Sequence, residues 1–509
     1  MLNITQDKKN EKSKVFLMHF GCRLNQYETL NLENLSKGQG YEITEDLKTA
    51  DYIIINTCTV TNRADSKNRR AARDARKQNK SAKIIVTGCY AETNPDDLIK
   101  MDAVDFVVAN KEKYSVLNIL ETNSQNNNEE ESNYNDPFLF SHQDPNRMAR
   151  AYLKIQDGCD KKCSYCKIPA ARGNGVSRIY SQIEKEVKSL VDSGFKEIVL
   201  TGVNIARYNG RKTKTGTRNT DDNDLDLNNN HVIAGFNHLL NELVSIKGEH
   251  YYRISSIEPE SIDEDFLKVF SDEKFASFLH IPIQSGSDNI LRNMRRGYRV
   301  SQVINAIEQV RKVKKNVHIG TDIMVGFPAE TEEDFQQTIE LVEKIEFSNV
   351  HIFPYSHRSK TPVEKMMKEN PEIREINGSI IRDRCKKLKE IANRYNKKYI
   401  ENTSGVFMRA IVEKSVEMNH PNTRYKGETI ILTENYIKCK IQNRQSSFVT
   451  TENSQQLIQE IKDADVANPL QTPVITESAT SVAGKHPSYN KGEKLTVAYD
   501  DNCIVTQLS

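Results

Sequence analysis

The sequence predicts an α/β protein in three parts: an N-terminal open parallel α/β sheet, a central partial (β/α)6 barrel, and a small C-terminal all-β barrel. Three observations carry this prediction. Apolar runs alternate with amphipathic helical patterns through the first two parts, which is the mark of βαβ units with right-handed crossovers. After about residue 404 the helices give way to short β-type runs separated by turn residues. A chain of 509 residues is also too long for one core, so about three domains follow from length.

The first part is expected over residues 13–120. Residues 15–20 (VFLMHF), 52–56 (YIIIN) and 83–87 (KIIVT) read as buried strands, each followed by a helix. Each strand delivers a cysteine just past its carboxyl end: Cys22, Cys58 and Cys89. In an open parallel sheet those ends share one crevice, where such sheets place their sites, so three cysteines far apart in sequence are expected to converge. Read blandly, each is a small buried residue, but that leaves three coincident strand-end placements unexplained. The helix after Cys58 carries a dense basic face, Arg63, Lys67, Arg69, Arg70, Arg73, Arg76, Lys77 and Lys80. Such runs are usually solvated helix faces; beside a crevice, RNA contact becomes a stronger reading. Residues 121–147 are polar and acidic at their start and are expected to form a flexible linker.

The barrel is expected over 148–375, with its site at the carboxyl ends of the strands. Its first strand (AYLKIQ) runs into DGCDKKCSYCKIPAARG, which sets Cys159, Cys163 and Cys166 in a C-x3-C-x2-C pattern. Three thiolates at this spacing can hold three irons of a cubane and leave the fourth open to a small molecule. Zinc would want a fourth Cys or His nearby, and none is present. The pattern resembles the radical S-adenosylmethionine signature, with the aromatic Tyr165 before the last cysteine. At the other strand ends stand Gly202, where backbone can approach a ligand, then Ser255, Ser256 and Glu258, suited to a ribose, then Gln284 with Ser285, and Asp322 with Gly326. Around one ring these form a pocket. Residues 209–230 read as a disordered surface insertion.

Residues 376–403 read as a basic connecting helix, and 404–509 as the small β-barrel, split by a polar insertion at about 443–492. Cys385, Cys439 and Cys503 are widely spaced and are read as structural or incidental. Net charge is only +2, so nucleic-acid contact must come from local patches. No stretch approaches the roughly 20 apolar residues of a membrane span, and the N-terminus, with no apolar core before its first strand, is not expected to be a secretory signal. Nine cysteines without a disulfide framework fit a reducing compartment, and the expected location is the cytoplasm.

Together with these two triplets, the motifs FGCRLNQYE, NTCTVTNRADSKNRR, VTGCYAE, RISSIEP, IPIQSGSDNILRNMRRGY and FPYSHRSKTP give the chain a recognisable likeness. It resembles the methylthiotransferase family of radical S-adenosylmethionine (SAM) enzymes over nearly its whole length, with a C-terminal barrel similar to the TRAM RNA-binding domain. The flanking residues look most like the branch acting on N6-threonylcarbamoyladenosine in tRNA. The isopentenyladenosine branch usually has other residues after the first and second cysteines, and the ribosomal-protein branch departs further.

The resemblance implies two 4Fe-4S clusters. Cys159, Cys163 and Cys166 would hold the one that cleaves SAM to a 5'-deoxyadenosyl radical, and Cys22, Cys58 and Cys89 the one that presents sulfur for methylation. Tyr165, Gly202, Ser255, Ser256, Glu258, Gln284 and Asp322 would line the SAM pocket. The methylthio group would be added at C2 of the adenosine next to the anticodon. The implied partners are the tRNA anticodon stem-loop and an electron donor of flavodoxin or ferredoxin type, with the enzyme a monomer. Backbone contacts are expected from residues 69–80, from Arg292, Arg295, Arg296 and Arg299, and from the C-terminal barrel. The chain departs from the family at Ala170, where an aromatic is common, and at Ala329, where glycine is. Alternatives are an isopentenyladenosine or ribosomal-protein target, a radical enzyme with one functional cluster, or a non-catalytic iron-sulfur RNA-binding protein.

Overall fold

The computed structural model describes residues 12–123, 136–139, 143–210, 235–414, 428–442, 491–500, 503 and 505–508. The expected linker and both insertions lie largely outside the described residues. In the N-terminal part, strands β1 (Lys14–His19), β2 (Glu42–Ile43), β3 (Tyr52–Thr57), β4 (Lys83–Gly88) and β5 (Phe106–Val107) form one parallel sheet in the order β2-β1-β3-β4-β5. Every residue of β3 is buried, as expected of an inner parallel strand covered on both faces. The covering helices are α1 (Arg23–Gly38), α2 (Asn62–Gln78), α3 (Cys89–Thr93), α4 (Pro95–Ile99) and α5 (Val116–Asn123). Strand order reverses between β1 and β3, and that switch point is where an open α/β sheet opens a crevice.

The central part holds six parallel strands in sequence order: β6 (Ala151–Lys154), then, past a short antiparallel pair β7 (Gln156–Asp157) and β8 (Val176–Ser177), β9 (Glu197–Thr201), β10 (Tyr251–Ile254), β11 (Phe278–His280), β12 (His318–Val325) and β13 (Asn349–Pro354). Two three-stranded sheets are joined where Ala276 N–H donates to Tyr252 O at 2.8 Å and Ile257 N–H to His280 O at 2.9 Å. Outside run α6 (Ile168–Arg172), α7 (Tyr180–Asp192), α8 (Phe236–Ser245), α9 (Glu264–Phe270), α10 (Asp288–Asn293), α11 (Val300–Val313) and α12 (Glu332–Ile345). One apolar core, from Ala151 and Leu200 through Leu279 and Ile319 to Val342, fills the space between strands and helices.

Two helices follow, α13 (Pro362–Glu369) and the long α14 (Gly378–Thr403), which packs on β13 and α12. Gly326 is required there, because a Cβ would lie 2.5 Å from Ile381. The C-terminal strands β14 (Met408–Lys414), β15 (Glu428–Thr433), β16 (Lys438–Gln442), β17 (Lys494–Tyr499) and β18 (Val505–Leu508) make an antiparallel sheet in the order β16-β15-β14-β17-β18. The sheet curls into a half-barrel, with Lys440 N–H of β16 donating to Cys503 O, in the turn before β18, at 2.9 Å. No helix among the described residues is long and apolar enough to cross a membrane.

Candidate active site

Cys22 caps the N-terminus of α1 after β1, Cys58 follows β3, and Cys89 opens α3 after β4. The first two flank the switch point of the sheet. The three converge: Cys22 and Cys89 are near enough for their charge to push the Cys58 thiol up, adding to burial, which is the main cause and takes it to about 12. Two glycines make the approach possible. Gly21 has φ +90° and a Cβ there would sit 2.5 Å from Cys58 Sγ, while Gly88 has φ +96° and a Cβ would strike Thr57 O at 2.5 Å. Asn68 Nδ2 donates to Cys58 O at 2.5 Å, fixing that loop from within α2.

The second triplet lies in the loop between β7 and α6. Cys159 N–H donates to Gly173 O and Cys166 N–H to Cys163 O, at 3.0 and 3.1 Å, which folds the loop onto itself. Ser164 anchors it: its N–H donates to Met294 O at 3.0 Å and its Oγ to Asn293 O at 2.7 Å. Burial takes the Cys166 thiol to about 12, with Cys163 and Cys159 adding to the rise. Ile168 N–H donates to Cys166 Sγ and Arg296 Nη1 to Cys163 Sγ, both at 3.4 Å.

Among the described residues, no three Cys, His, Asp or Glu side chains are gathered as a single-ion site. The donor chemistry fits a larger group. Among the described residues each triplet offers three thiols and no fourth protein ligand, partly buried, with backbone or guanidinium N–H groups aimed at sulfur in the barrel loop. Iron would deprotonate these thiols outright.

The two triplets are joined by one buried ion network. Arg172, at the end of the barrel's cysteine loop, donates to Glu28 at 2.8 and 3.1 Å, to Asp157 at 3.0 and 3.2 Å, and to Asn25 Oδ1 at 2.7 Å. Lys154 pairs with Glu28 and Asp157 at 2.9 and 2.7 Å, and Lys113 closes the network on Glu28. Arg172, Lys113 and Lys154 hold the Glu28 carboxyl well below the usual range against the opposing effect of its burial. On the far side, Arg358, after β13, donates to Thr59 O at 2.9 Å, Asn62 Oδ1 at 2.5 Å and Asp65 at 2.7 Å. The loop after Cys58 is thereby tied to the carboxyl end of the barrel.

The expected SAM-pocket residues divide. Tyr165 packs with Met294, Met324, Phe327 and Val363 beside the loop. Ser255 and Glu258 are half-buried and Ser256 is exposed. Glu258 is paired with Arg296 and lies 3.8 Å from Lys161. Gln284 sits at φ +69°, a strained value for a residue with a Cβ, and donates from N–H to Asp322 O at 2.8 Å. Gly202 and Asp322 are both engaged within the protein. Gly202 faces its own chain, with a Cβ 2.7 Å from Ile205 and 2.9 Å from Gln156 O. Asp322 lies inside β12, held by His280 Nε2 at 3.2 Å and His351 Nδ1 at 3.1 Å.

The basic residues also divide. Arg63, Lys67, Arg70, Arg73 and Lys77 are exposed along α2, whereas Arg69 turns to Tyr90 and Arg76 to Ala82 O and Asp105. Arg296 is not an exposed phosphate ligand: its side chain is 4% exposed and is spent on Glu258, Cys163 and Pro282 O. Sequence reading missed Glu28, Lys113, Lys154 and Arg172 as a unit, because their polar partners lie on segments far apart in the chain.

Residues 14–109 match the family described as Uncharacterized protein family UPF0004, and residues 153–342 match the Radical SAM superfamily. The chain is 36% identical to the threonylcarbamoyladenosine tRNA methylthiotransferase MtaB of Aquifex aeolicus, over 84% of this chain and 96% of that one. The chain belongs to the radical SAM tRNA methylthiotransferase family. The family member of the same name from Bacillus subtilis is 34% identical, over 82% and 88% of the two chains. A tRNA-2-methylthio-N(6)-dimethylallyladenosine synthase from Helicobacter hepaticus, of the same family, is 34% identical over 71% and 76%. SAM and 4Fe-4S clusters are the cofactors of this family's chemistry.

Proposed function

We propose that this chain converts N6-threonylcarbamoyladenosine, next to the anticodon of tRNA, to its 2-methylthio derivative. The observation that supports the reading is that Arg172, six residues past Cys166, binds Glu28 and Asn25 on the helix capped by Cys22, so the segments carrying the two cysteine triplets are packed together. Cys159, Cys163 and Cys166 hold one 4Fe-4S cluster, and Cys22, Cys58 and Cys89 the other. Bound there, the clusters and SAM supply the radical that takes hydrogen from C2 and the methylated sulfur that replaces it.

The chain's own residues orient and exclude. Tyr165 and its apolar neighbours keep water from the barrel loop, and Arg296 donates to Cys163 Sγ while fixing Glu258. Ser255, Ser256, Glu258 and Gln284 stand at the strand ends where SAM would lie. The α2 stripe holds the RNA backbone, and the anticodon loop, whose bases can be splayed out singly, delivers the adenosine. The enzyme works as a cytoplasmic monomer with an electron donor of flavodoxin or ferredoxin type.

The test uses purified protein with reconstituted clusters, SAM and reductant, on anticodon stem-loops carrying either N6-threonylcarbamoyl- or N6-isopentenyladenosine. Mass spectrometry of the product nucleosides should show the methylthio group on the threonylcarbamoyl substrate. Modification of the isopentenyl substrate alone would move the chain to the other branch.

A further inference from the structure

Arg23 follows Cys22 in the first turn of α1 and reaches Tyr436, in the turn between β15 and β16 of the C-terminal sheet. Its Nη2 donates to Tyr436 Oη at 2.8 Å, and its guanidinium lies 5.8 Å from the ring centroid. Tyr436 adopts φ +67°, and its ring packs 4.7 Å from that of Phe278 on β11. The turn thus inserts into the barrel between the first cysteine helix and the strands.

Two more guanidiniums surround the same ring, Arg253 at 5.1 Å and Arg150 at 5.9 Å. Both are neutralised. Arg253 grips Glu197 at 2.5 and 3.1 Å, and Arg150 pairs with Glu413 at 2.8 Å. Arg23 differs: among the described residues its contacts are the Tyr436 hydroxyl and ring, with no carboxylate in ion-pair range. A half-buried guanidinium on the residue after Cys22, oriented by a phenol and with no carboxylate partner among the described residues, can receive a carboxylate.

We propose that Arg23, steadied by Tyr436, binds the carboxylate of the substrate's N6 substituent and so selects acidic over hydrocarbon N6 groups. The inference rests on the tRNA methylthiotransferase reading. N6 is borne on C6 of adenine, which is separated from C2 by N1 alone, so a contact on the N6 group beside Cys22 keeps C2 close to that triplet. A threonylcarbamoyl group ends in a carboxylate that can meet the guanidinium fork, whereas an isopentenyl group would leave Arg23 desolvated without a partner.

The experiment measures binding of the reconstituted holoenzyme to three stem-loops, bearing N6-threonylcarbamoyladenosine, its neutral methyl ester, or N6-isopentenyladenosine. The wild-type chain should bind the acid about tenfold or more tightly than the ester. Arg23→Gln should bring that ratio to about one, with ester affinity and iron content unchanged, and Arg23→Lys should restore part of it. Tyr436→Phe should lower the ratio while leaving the fold intact. A merely structural Arg23 would shift acid and ester together, so an unchanged ratio in Arg23→Gln overturns the proposal. A wild-type ratio of one, with the threonylcarbamoyl loop still methylthiolated, overturns it alone; methylthiolation of the isopentenyl loop only overturns the function and the proposal together.

Discussion

Arg172 Nη1 lies 2.8 Å from Glu28 Oε1, so a side chain at the end of the barrel's cysteine loop grips the helix that begins beside Cys22. Both groups are almost wholly buried, at 1% and 4% exposure. Removing Arg172 leaves Lys113 and Lys154 to balance the two carboxylates and takes away the buried charged hydrogen bonds that Arg172 makes to Glu28, Asp157 and Asn25.

Arg172→Met is expected to destabilise the chain by about 1.5–3 kcal/mol, the cost of losing buried hydrogen bonds to charged groups. The wild-type network should also show a pH signature. Glu28 and Asp157 are held below their ordinary carboxylate values, so their contribution is present above the unfolded range of about 4 and is lost as pH falls through the folded values. Thermal melts from pH 7 to pH 3 test both statements. Wild type should lose stability on acidification more steeply than Arg172→Met.

Gly21→Ala should empty one cluster and spare the other. The residue sits at φ +90° and its new Cβ would lie 2.5 Å from Cys58 Sγ. Iron content is expected to fall from about eight to about four per chain. Iron analysis with electron paramagnetic resonance checks this, the signal of the barrel cluster persisting.

Charge reversal at Arg63, Lys67, Arg70 and Lys77 should weaken tRNA binding about tenfold or more and flatten its salt dependence. Each lost phosphate contact lowers the slope of log affinity against log salt by roughly 0.7–0.9. Titrations at several salt concentrations measure it. An unchanged slope would leave α2 as a solvated face.

Arg296→Gln removes a donor to Cys163 Sγ, and donors to cluster sulfur raise the reduction potential. The barrel cluster should shift negative by on the order of tens of millivolts. A redox titration in a chain with Cys22, Cys58 and Cys89 replaced isolates that cluster.

The strand-end cysteines were legible because the apolar runs ending at Ile55 and Val86 mark β3 and β4, which close at Thr57 and Gly88, just before Cys58 and Cys89. Periodicity alone therefore fixed the crevice. Arg296 was not legible: LRNMRRGYR reads as a basic surface turn, and its burial depends on Glu258, 38 residues away. Asp322 lies within β12, and its pairing with His280 on β11 and His351 on β13 comes from the sheet register, which no local pattern announces. Arg172 and Glu28 are 144 residues apart, and no local pattern announces an ion pair across that distance. Tyr436 carries no local signal, and only the docking of the C-terminal sheet brings it to Arg23.

The central claim is tested most directly by mass spectrometry of nucleosides from bulk tRNA of cells lacking the gene, complemented either with the wild-type chain or with Cys22, Cys58 and Cys89 changed to alanine. The account predicts that 2-methylthio-N6-threonylcarbamoyladenosine disappears without the gene, with its unmethylthiolated precursor accumulating. Only the wild-type chain should restore it. Restoration by the triple variant, or persistence of the nucleoside in the deletion, would contradict the account.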